Sequence, residues 1–370
     1  MSKLKIALLS IAKPNNGSGN GTIEYAYQLY SNFTKNRNFK TKASYLLEDS
    51  KRNDIFGLIY AYSIVGQKIR VALNANNYNI IHITTQELGS LAKSIKNLKK
   101  NSKIVITVHD LARFHQNLHD GLLQKIYNKL IRVNVSDGIK NSDLIIFDSK
   151  MQYLEAVSKF GNIPKYKILP LGINDQFINR KITKNKTKYL KVGYIGSFAK
   201  HKNVMFILKI AKLFKNNSEI KFILYGTGSD ENNIKKYIRD NKLKNISLLG
   251  FAPESKKLSI YDSFDIFIFP SLYEGFGLPI IEAQARGLPV IIYKTGKISP
   301  EVGKYCLKAK NPFDAHNIIA NLKNHNYKEK KQAIRYARNF TWKKTCKETL
   351  KAYGEVLKSK SIPQHYLKRS

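Results

Sequence analysis

The segment Ser271-Leu-Tyr-Glu-Gly-Phe-Gly-Leu-Pro-Ile-Ile-Glu282 constrains this chain more than any other stretch. It follows the short apolar run Ile266-Phe-Ile-Phe269, which shows no polar alternation and so reads as a strand buried on both faces of a parallel sheet. Pro270 stops that strand. Gly275 and Gly277 provide a loop whose bare backbone can approach a ligand. Pro279 suits the first turn of a helix, where a missing N–H costs nothing. Gly287 and Pro289 end the helix, and Val290-Ile-Ile-Tyr293 resumes as a strand. A helix N-terminus at the carboxyl end of a buried parallel strand is an anion site. The segment therefore predicts a pocket for something phosphorylated.

The same alternation runs through the chain. Strands are predicted at Lys5-Ile-Ala-Leu-Leu9, Asn79-Ile-Ile-His82, Lys103-Ile-Val-Ile-Thr-Val108, Leu144-Ile-Ile-Phe147 and Lys167-Ile-Leu169. Helical patterns lie between them, as from Ile23 to Phe33 and from Leu122 to Ile139. Strands alternating with helices argue a doubly wound parallel sheet. The polar, lysine-rich stretch after Asn179 reads as a linker, and alternation restarts at Tyr189–Ile195. At 370 residues, two domains are the default. The expected division is 1–180, 190–341, a closing helix 342–357 and a basic tail 358–370.

Two cysteines, Cys306 and Cys346, lie too far apart in sequence for a metal or redox motif, which fits a reducing compartment. The apolar start at Leu4–Ser10 is too short for a signal peptide and reads as the first strand. No apolar run approaches the roughly 20 residues of a membrane span. A cytoplasmic location is expected. The longest run, Ile55 to Val65, reads as an amphipathic helix.

The formal charge of +38 comes mostly from lysine. One reading is genome composition, since asparagine and isoleucine are abundant too. The other is attraction to polyanions. Nucleic acid fits poorly, because the lysines are dispersed and no nucleic-acid module appears. An anionic membrane surface fits better: Lys93 to Lys103 holds several lysines and no acid, and each cation near such a surface contributes about 1 kcal/mol.

The Glu274 to Glu282 segment closely resembles the E-x7-E motif of retaining glycosyltransferases of family 4, which have the GT-B fold: two Rossmann-like doubly wound domains facing a central cleft. Gly193-Tyr-Ile-Gly-Ser197-Phe-Ala-Lys-His-Lys202-Asn203 is similar to the strand-loop that opens that family's donor domain. Leu224-Tyr-Gly-Thr-Gly228, Leu248-Leu-Gly-Phe-Ala-Pro253, Pro300-Glu-Val302 and Phe340-Thr-Trp342 resemble its later segments. The first half matches more loosely, through Val108-His109-Asp110-Leu111 and Leu169-Pro-Leu-Gly-Ile-Asn174. Where many members carry an arginine near the diphosphate, this chain has Ser197. The amino-terminal loop is Gly17-Ser-Gly19-Asn-Gly21 instead of a plain glycine pair.

The resemblance implies a retaining hexosyltransferase that takes mannose, glucose or another hexose from a nucleoside-diphosphate sugar to a glycan or lipid-linked glycan. It implies no metal and no cofactor, and no Asp-x-Asp motif appears. Lys202 and the backbone N–H groups of Phe276, Gly277 and Leu278 then meet the diphosphate, with Gly19 and Gly21 closing over it. Glu282 accepts from the ribose hydroxyls, and Glu274 lies near the sugar. His109 reaches the sugar from the other domain, making His109 and Glu274 the candidate catalytic pair.

Each assignment has a plainer counterpart. Glu274 and Glu282 are otherwise surface acids at a helix start, and Lys202 one of many solvated lysines. Ser197 either donates to a phosphate or caps the next helix, and Lys200 is a candidate stand-in for the missing arginine. Glu301 either caps a helix or touches the sugar. His82 reads as a satisfied core histidine, and His115 and His119 as loop residues. Two rival functions stay open: a sucrose-phosphate or glycogen synthase-like transferase with a soluble acceptor, and a polyanion-binding protein on a degenerate transferase scaffold.

Overall fold

The computed structural model describes residues 4–12, 21–35, 39–47, 77–114, 122–183, 188–325 and 327–358. Gly19, the run Ile55–Val65, His115, His119 and nearly all of the basic tail lie outside these residues.

The first domain runs β1 (Leu4–Ala12), α1 (Gly21–Lys35), β2 (Phe39–Leu47), β3 (Ile80–Ile83), α2 (Leu91–Leu98), β4 (Lys103–Val108), α3 (Leu122–Asn141), β5 (Leu144–Phe147), α4 (Lys150–Phe160) and β6 (Tyr166–Ile168). Among the described residues its strands form a parallel sheet in the order β2-β1-β3-β4-β5-β6. Every residue of β3 and of β5 is buried, as the unbroken apolar runs predict for strands covered on both faces. On α1 the buried residues Tyr25, Ala26, Leu29 and Phe33 form one helical stripe against that sheet.

A short helix α5 (Asp175–Asn179), capped by Asn174 onto the Gln176 N–H, leads to the second domain. There β7 (Leu190–Ile195), α6 (Val204–Leu213), β8 (Ile220–Tyr225), α7 (Glu231–Asp240), β9 (Ile246–Leu248) and α8 (Glu254–Asp262) come first. Next are β10 (Ile266–Phe269), α9 (Leu278–Ala285), β11 (Val290–Tyr293), β12 (Leu307–Ala309), α10 (Pro312–Asn324) and α11 (Lys330–Ala337). Its parallel sheet has the order β12-β11-β10-β7-β8-β9. Two Rossmann-like sheets of this kind define the GT-B fold.

The last helix, α12 (Trp342–Lys358), returns to the first domain. Its Tyr353 hydroxyl lies 2.6 Å from Nδ1 of the buried His82, whose Nε2 lies 2.7 Å from the Thr107 hydroxyl. His82 is thus a satisfied core histidine, and burial, helped by the nearby His109 charge, pushes its pKa down to about 3. The two chain crossings between the domains lie side by side: the Ile173 N–H donates to the Phe340 carbonyl at 3.0 Å. A side chain at Gly172 would strike the Trp342 backbone nitrogen at 2.1 Å, so the crossings touch through bare backbone.

Arg286, buried after α9, holds the connection in place. Its Nε and one Nη pair with the two Asp262 oxygens at 2.7 and 2.8 Å. Its remaining N–H groups donate to the carbonyls of Phe177, Arg180 and Lys181 at 3.2, 2.7 and 2.9 Å. All five donors of the guanidinium are used, in the planar fork that lysine cannot reproduce. Cys306 and Cys346 are free thiols.

Candidate active site

The carboxyl ends of the two sheets face each other across a cavity of about 350 Å³. His109, Gly21, Ser197, Lys202, Glu274, Phe276, Gly277, Leu278 and Glu282 all line it. Lys200 and Glu301 do not.

The second domain supplies the charged floor. Gly277, at φ +96°, caps α9 in a left-handed turn that suits glycine, with Pro279 in the first turn. Gly277 and Leu278 line the cavity at the start of this helix, where backbone N–H groups lack the i−4 acceptor of the helix interior. Lys202 ends a single 3₁₀ turn, Lys200–Lys202, after β7. Asn203 follows at φ 54°, and its amide donates to the Pro270 carbonyl at 3.2 Å. The Leu272 N–H donates to the His201 carbonyl at 2.8 Å, tying that turn to the Glu274 loop. Lys202 Nζ then lies 2.6 Å from Glu274 Oε1 and 5.6 Å from the centre of the Phe269 ring. Ser197 is exposed to the cavity and caps no helix, since α6 begins only at Val204 behind Asn203.

Glu282, one turn into α9, is buried and accepts from the Tyr261 hydroxyl at 2.8 Å. Burial raises its pKa, against the charge of Lys257 and the Tyr261 hydrogen bond, which lower it. Lys257 pairs with Glu254 at 2.6 Å along α8, and both line the cavity. Burial opposes the Lys257 charge, yet Glu282 and Glu254 outweigh it and hold its pKa above the ordinary value.

The first domain supplies His109, at the end of β4. Its Nδ1 lies 2.8 Å from Asp148 Oδ2 and its Nε2 lies 2.9 Å from the Thr84 carbonyl. Burial opposes its charge, but Asp148 and the Thr84 carbonyl prevail and its pKa is raised. Gly275 lines the cavity and also meets the other domain: a Cβ there would sit 2.1 Å from the His109 carbonyl oxygen. The neighbouring Tyr273 hydroxyl donates to Glu155 of α4 at 2.9 Å and accepts from the Leu111 N–H at 3.1 Å. Glu301 does not line the cavity; it accepts from the Lys150 N–H, the first of α4, across the domains at 3.4 Å.

Sequence reasoning missed Asp148, Glu254, Lys257 and Tyr273. Asp148 had a usable signal, since it follows β5 directly at the carboxyl edge where such sheets collect ligands. Among the described residues, no group of three or more His, Cys, Asp or Glu side chains is placed to hold a metal ion.

A cleft between two such sheets, with the start of a helix on one side and a histidine on the other, is the arrangement of the GT-B fold. Residues 175–340 match the family described as glycosyl transferases group 1. It is 29% identical over 169 residues to the O-antigen chain mannosyltransferase B of Escherichia coli, covering 43% of this chain and 44% of that protein. It is 27% identical over 263 residues to the UDP-Gal:alpha-D-GlcNAc-diphosphoundecaprenol alpha-1,3-galactosyltransferase of the same organism, covering 67% and 64%. The match thus spans less than two thirds of either relative. Among solved structures, sucrose-phosphate synthase from Thermosynechococcus elongatus superposes with a TM-score of 0.74 at 16% identity, covering 96% of this chain and 99% of that one. Anabaena HepE, solved with UDP and glucose, superposes with a TM-score of 0.71 at 15% identity, covering 95% and 100%.

Proposed function

We propose that the chain transfers a hexose, with retention, from a nucleoside-diphosphate sugar to a glycan or lipid-linked glycan. The observation that carries this reading is the convergence of Lys202, Glu274, Glu282 and the α9 N-terminus in one cavity with His109 opposite. The diphosphate leaves with developing negative charge, and Lys202 with the N–H groups of Gly277 and Leu278 are preorganised to receive it. These protein groups do the work a bound cation does elsewhere, so no metal is required. Glu282 accepts from the ribose hydroxyls, a role that suits an ionised carboxylate, which only accepts. A panel of nucleotide-sugars tests the reading: release of nucleoside diphosphate from one donor, lost in Lys202→Ala, is expected. No turnover and no nucleotide affinity across the panel would leave the polyanion-binding alternative.

The acceptor reading is that transfer occurs at an anionic membrane surface on the cytoplasmic side. Among the described residues, no helix is long and apolar enough to cross a membrane. What supports surface binding is α3, which presents Ile126, Leu130 and Val133 at 42, 39 and 50% exposure on one helical ridge. Exposed Lys129 lies within it, and α2, with exposed Lys93 on it and exposed Lys100 just beyond its end, packs beside it. Apolar insertion with flanking cations is the combination that interfacial binding needs. The α3 helix also packs against the turn Ala112–Phe114, just after His109, so this face adjoins the cleft. The relatives named for O-antigen and diphosphoundecaprenol substrates favour such an acceptor over a soluble one.

A further inference from the structure

His109 is held at every polar atom. Its backbone N–H donates to Gln86 Oε1 at 3.0 Å, and its carbonyl accepts from Gln152 Nε2. Gln152 also accepts the Asp148 N–H at 2.9 Å, so one side chain fixes the backbones of both His109 and Asp148. The ring nitrogens face two oxygens, the Asp148 carboxylate at 2.8 Å and the Thr84 carbonyl at 2.9 Å. A carbonyl and an ionised carboxylate only accept. A neutral imidazole donates once, and would set its lone pair against an oxygen lone pair on the other side. Asp148 itself is 1% exposed, and among the described residues its Oδ1 has no hydrogen-bond partner. A carboxylate taken out of water that far is costly unless it is paired, and the partner it faces is His109.

We propose that Asp148 is a positioning residue that keeps His109 doubly protonated, so that His109 serves transfer as a fixed positive charge at the cleft and not as a proton donor or acceptor. The proposal rests on the transferase reading of the cleft. One proton is shared by the pair: burial raises the Asp148 pKa while the His109 charge and hydrogen bond lower it, and the two acceptors about the ring hold the His109 pKa above its ordinary value, which places the proton on the ring. The surroundings agree. Glu87, from the turn after β3, and Asp110, next in the chain, add negative charge near the pair. His82 of β3 is held neutral, and Tyr25 of α1 packs edge-on against the ring at 4.8 Å. From the second domain, the Lys202–Glu274 pair lines the same cavity and is internally balanced. With both N–H groups committed to the protein, the ring offers the cleft its charge and its edge, on the side where a leaving diphosphate turns negative.

The full chain with labelled histidine tests this without a substrate. Both His109 ring nitrogens are expected to give protonated ¹⁵N shifts at pH values above the ordinary imidazole titration near about 6.5. In Asp148→Asn, which keeps an acceptor but no charge, burial is left to oppose the imidazolium, and one nitrogen is expected to lose its proton at a lower pH than in the wild type. With a donor in hand, Asp148→Asn is expected to lower kcat roughly tenfold at neutral pH and to shift the alkaline limb of its profile down by about one unit or more. Donor KM is expected to stay within about threefold, and Asp148→Glu to restore the limb in part. A wild-type His109 that titrates near 6.5, an unprotonated Nδ1 with the proton on Asp148, or an unmoved limb in a folded Asp148→Asn overturns the proposal. The nitrogen shifts are read in the resting protein, so they stand or fall separately from the transferase reading.

Discussion

Lys202 Nζ lies 2.6 Å from Glu274 Oε1, so the lysine proposed to meet the donor's diphosphate also holds a carboxylate of its own domain. Two anions then compete for one cation. Glu274→Gln is expected to tighten binding of free nucleoside diphosphate while lowering sugar transfer. A charge-assisted hydrogen bond is worth about 1.5–3 kcal/mol, so the gain is expected near tenfold. Calorimetry with the nucleotide, set beside turnover, checks the split. Weaker nucleotide binding in the variant would mean that Glu274 aims the lysine and does not compete with the ligand.

Glu282 trades stability for recognition. Its folded pKa is raised, so the ionised side chain costs stability at neutral pH, and that cost is recovered as pH falls through the folded value toward the unfolded one. Glu282→Gln is therefore expected to raise Tm at pH 7 and to weaken nucleotide-sugar binding. Wild-type donor affinity is expected to fall with acidification, starting above the ordinary carboxylate range. Thermal melts and titrations at several pH values measure both.

Gly275→Ala places a Cβ 2.1 Å from the His109 carbonyl, a backbone atom with no freedom to yield. The domains are expected to part at this contact. Turnover is expected to drop by roughly a hundredfold, the scale of a 1 Å misplacement, while donor affinity, set within the second domain, changes little. Small-angle scattering is expected to report a larger radius of gyration. An unchanged turnover would show that the contact is not part of the working conformation.

Arg286→Lys keeps the charge but loses the fork that satisfies Asp262 and three carbonyls. Breaking one side of a buried pair costs about 3–5 kcal/mol. Chemical denaturation is expected to show most of that loss in Arg286→Lys as well as in Arg286→Ala. A near-native midpoint for the lysine variant would refute the role of the fork.

Membrane association is expected to depend on α3. Vesicles with anionic lipid should float the protein at low salt, and binding should weaken with ionic strength, since charge is screened over about 10 Å at 0.1 M. Leu130→Glu is expected to abolish flotation without altering hydrolysis of the donor. Protein that sediments with anionic vesicles absent from its fraction, at low salt, would favour a soluble acceptor.

The fold was legible because its strands are unbroken apolar runs, such as Ile266–Phe269, set between helices of 3.6-residue period. Lys202, Glu274 and Glu282 were legible because each sits at a strand end or a helix start in a distinctive setting of glycine and proline. Lys257 and Glu254 were not, since an i, i+3 pair on a helix has the pattern of a solvated salt bridge. Tyr273 and Arg286 were not, because these partners lie between 105 and 162 residues away: Glu155 and Leu111 for the one, the carbonyls of Phe177 to Lys181 for the other. Ser197 was ambiguous until the helix start at Val204 removed its capping role. A single sequence records local period and turn chemistry; contacts made only on folding leave no local mark.

The return of α12 also dictates an order of assembly. His82 finds Tyr353, and Tyr25 finds Trp342, only when residues 342–358 have been made. The second domain, by contrast, is continuous in sequence and has all its strands from Leu190 to Ala309 at hand before then. Domains that are contiguous fold as units during synthesis, usually the earlier one first. Here the sequence order is reversed: on the ribosome the later domain can close its core first, while the earlier one keeps His82 and the side of α1 that meets α12 uncovered until the chain comes back to it.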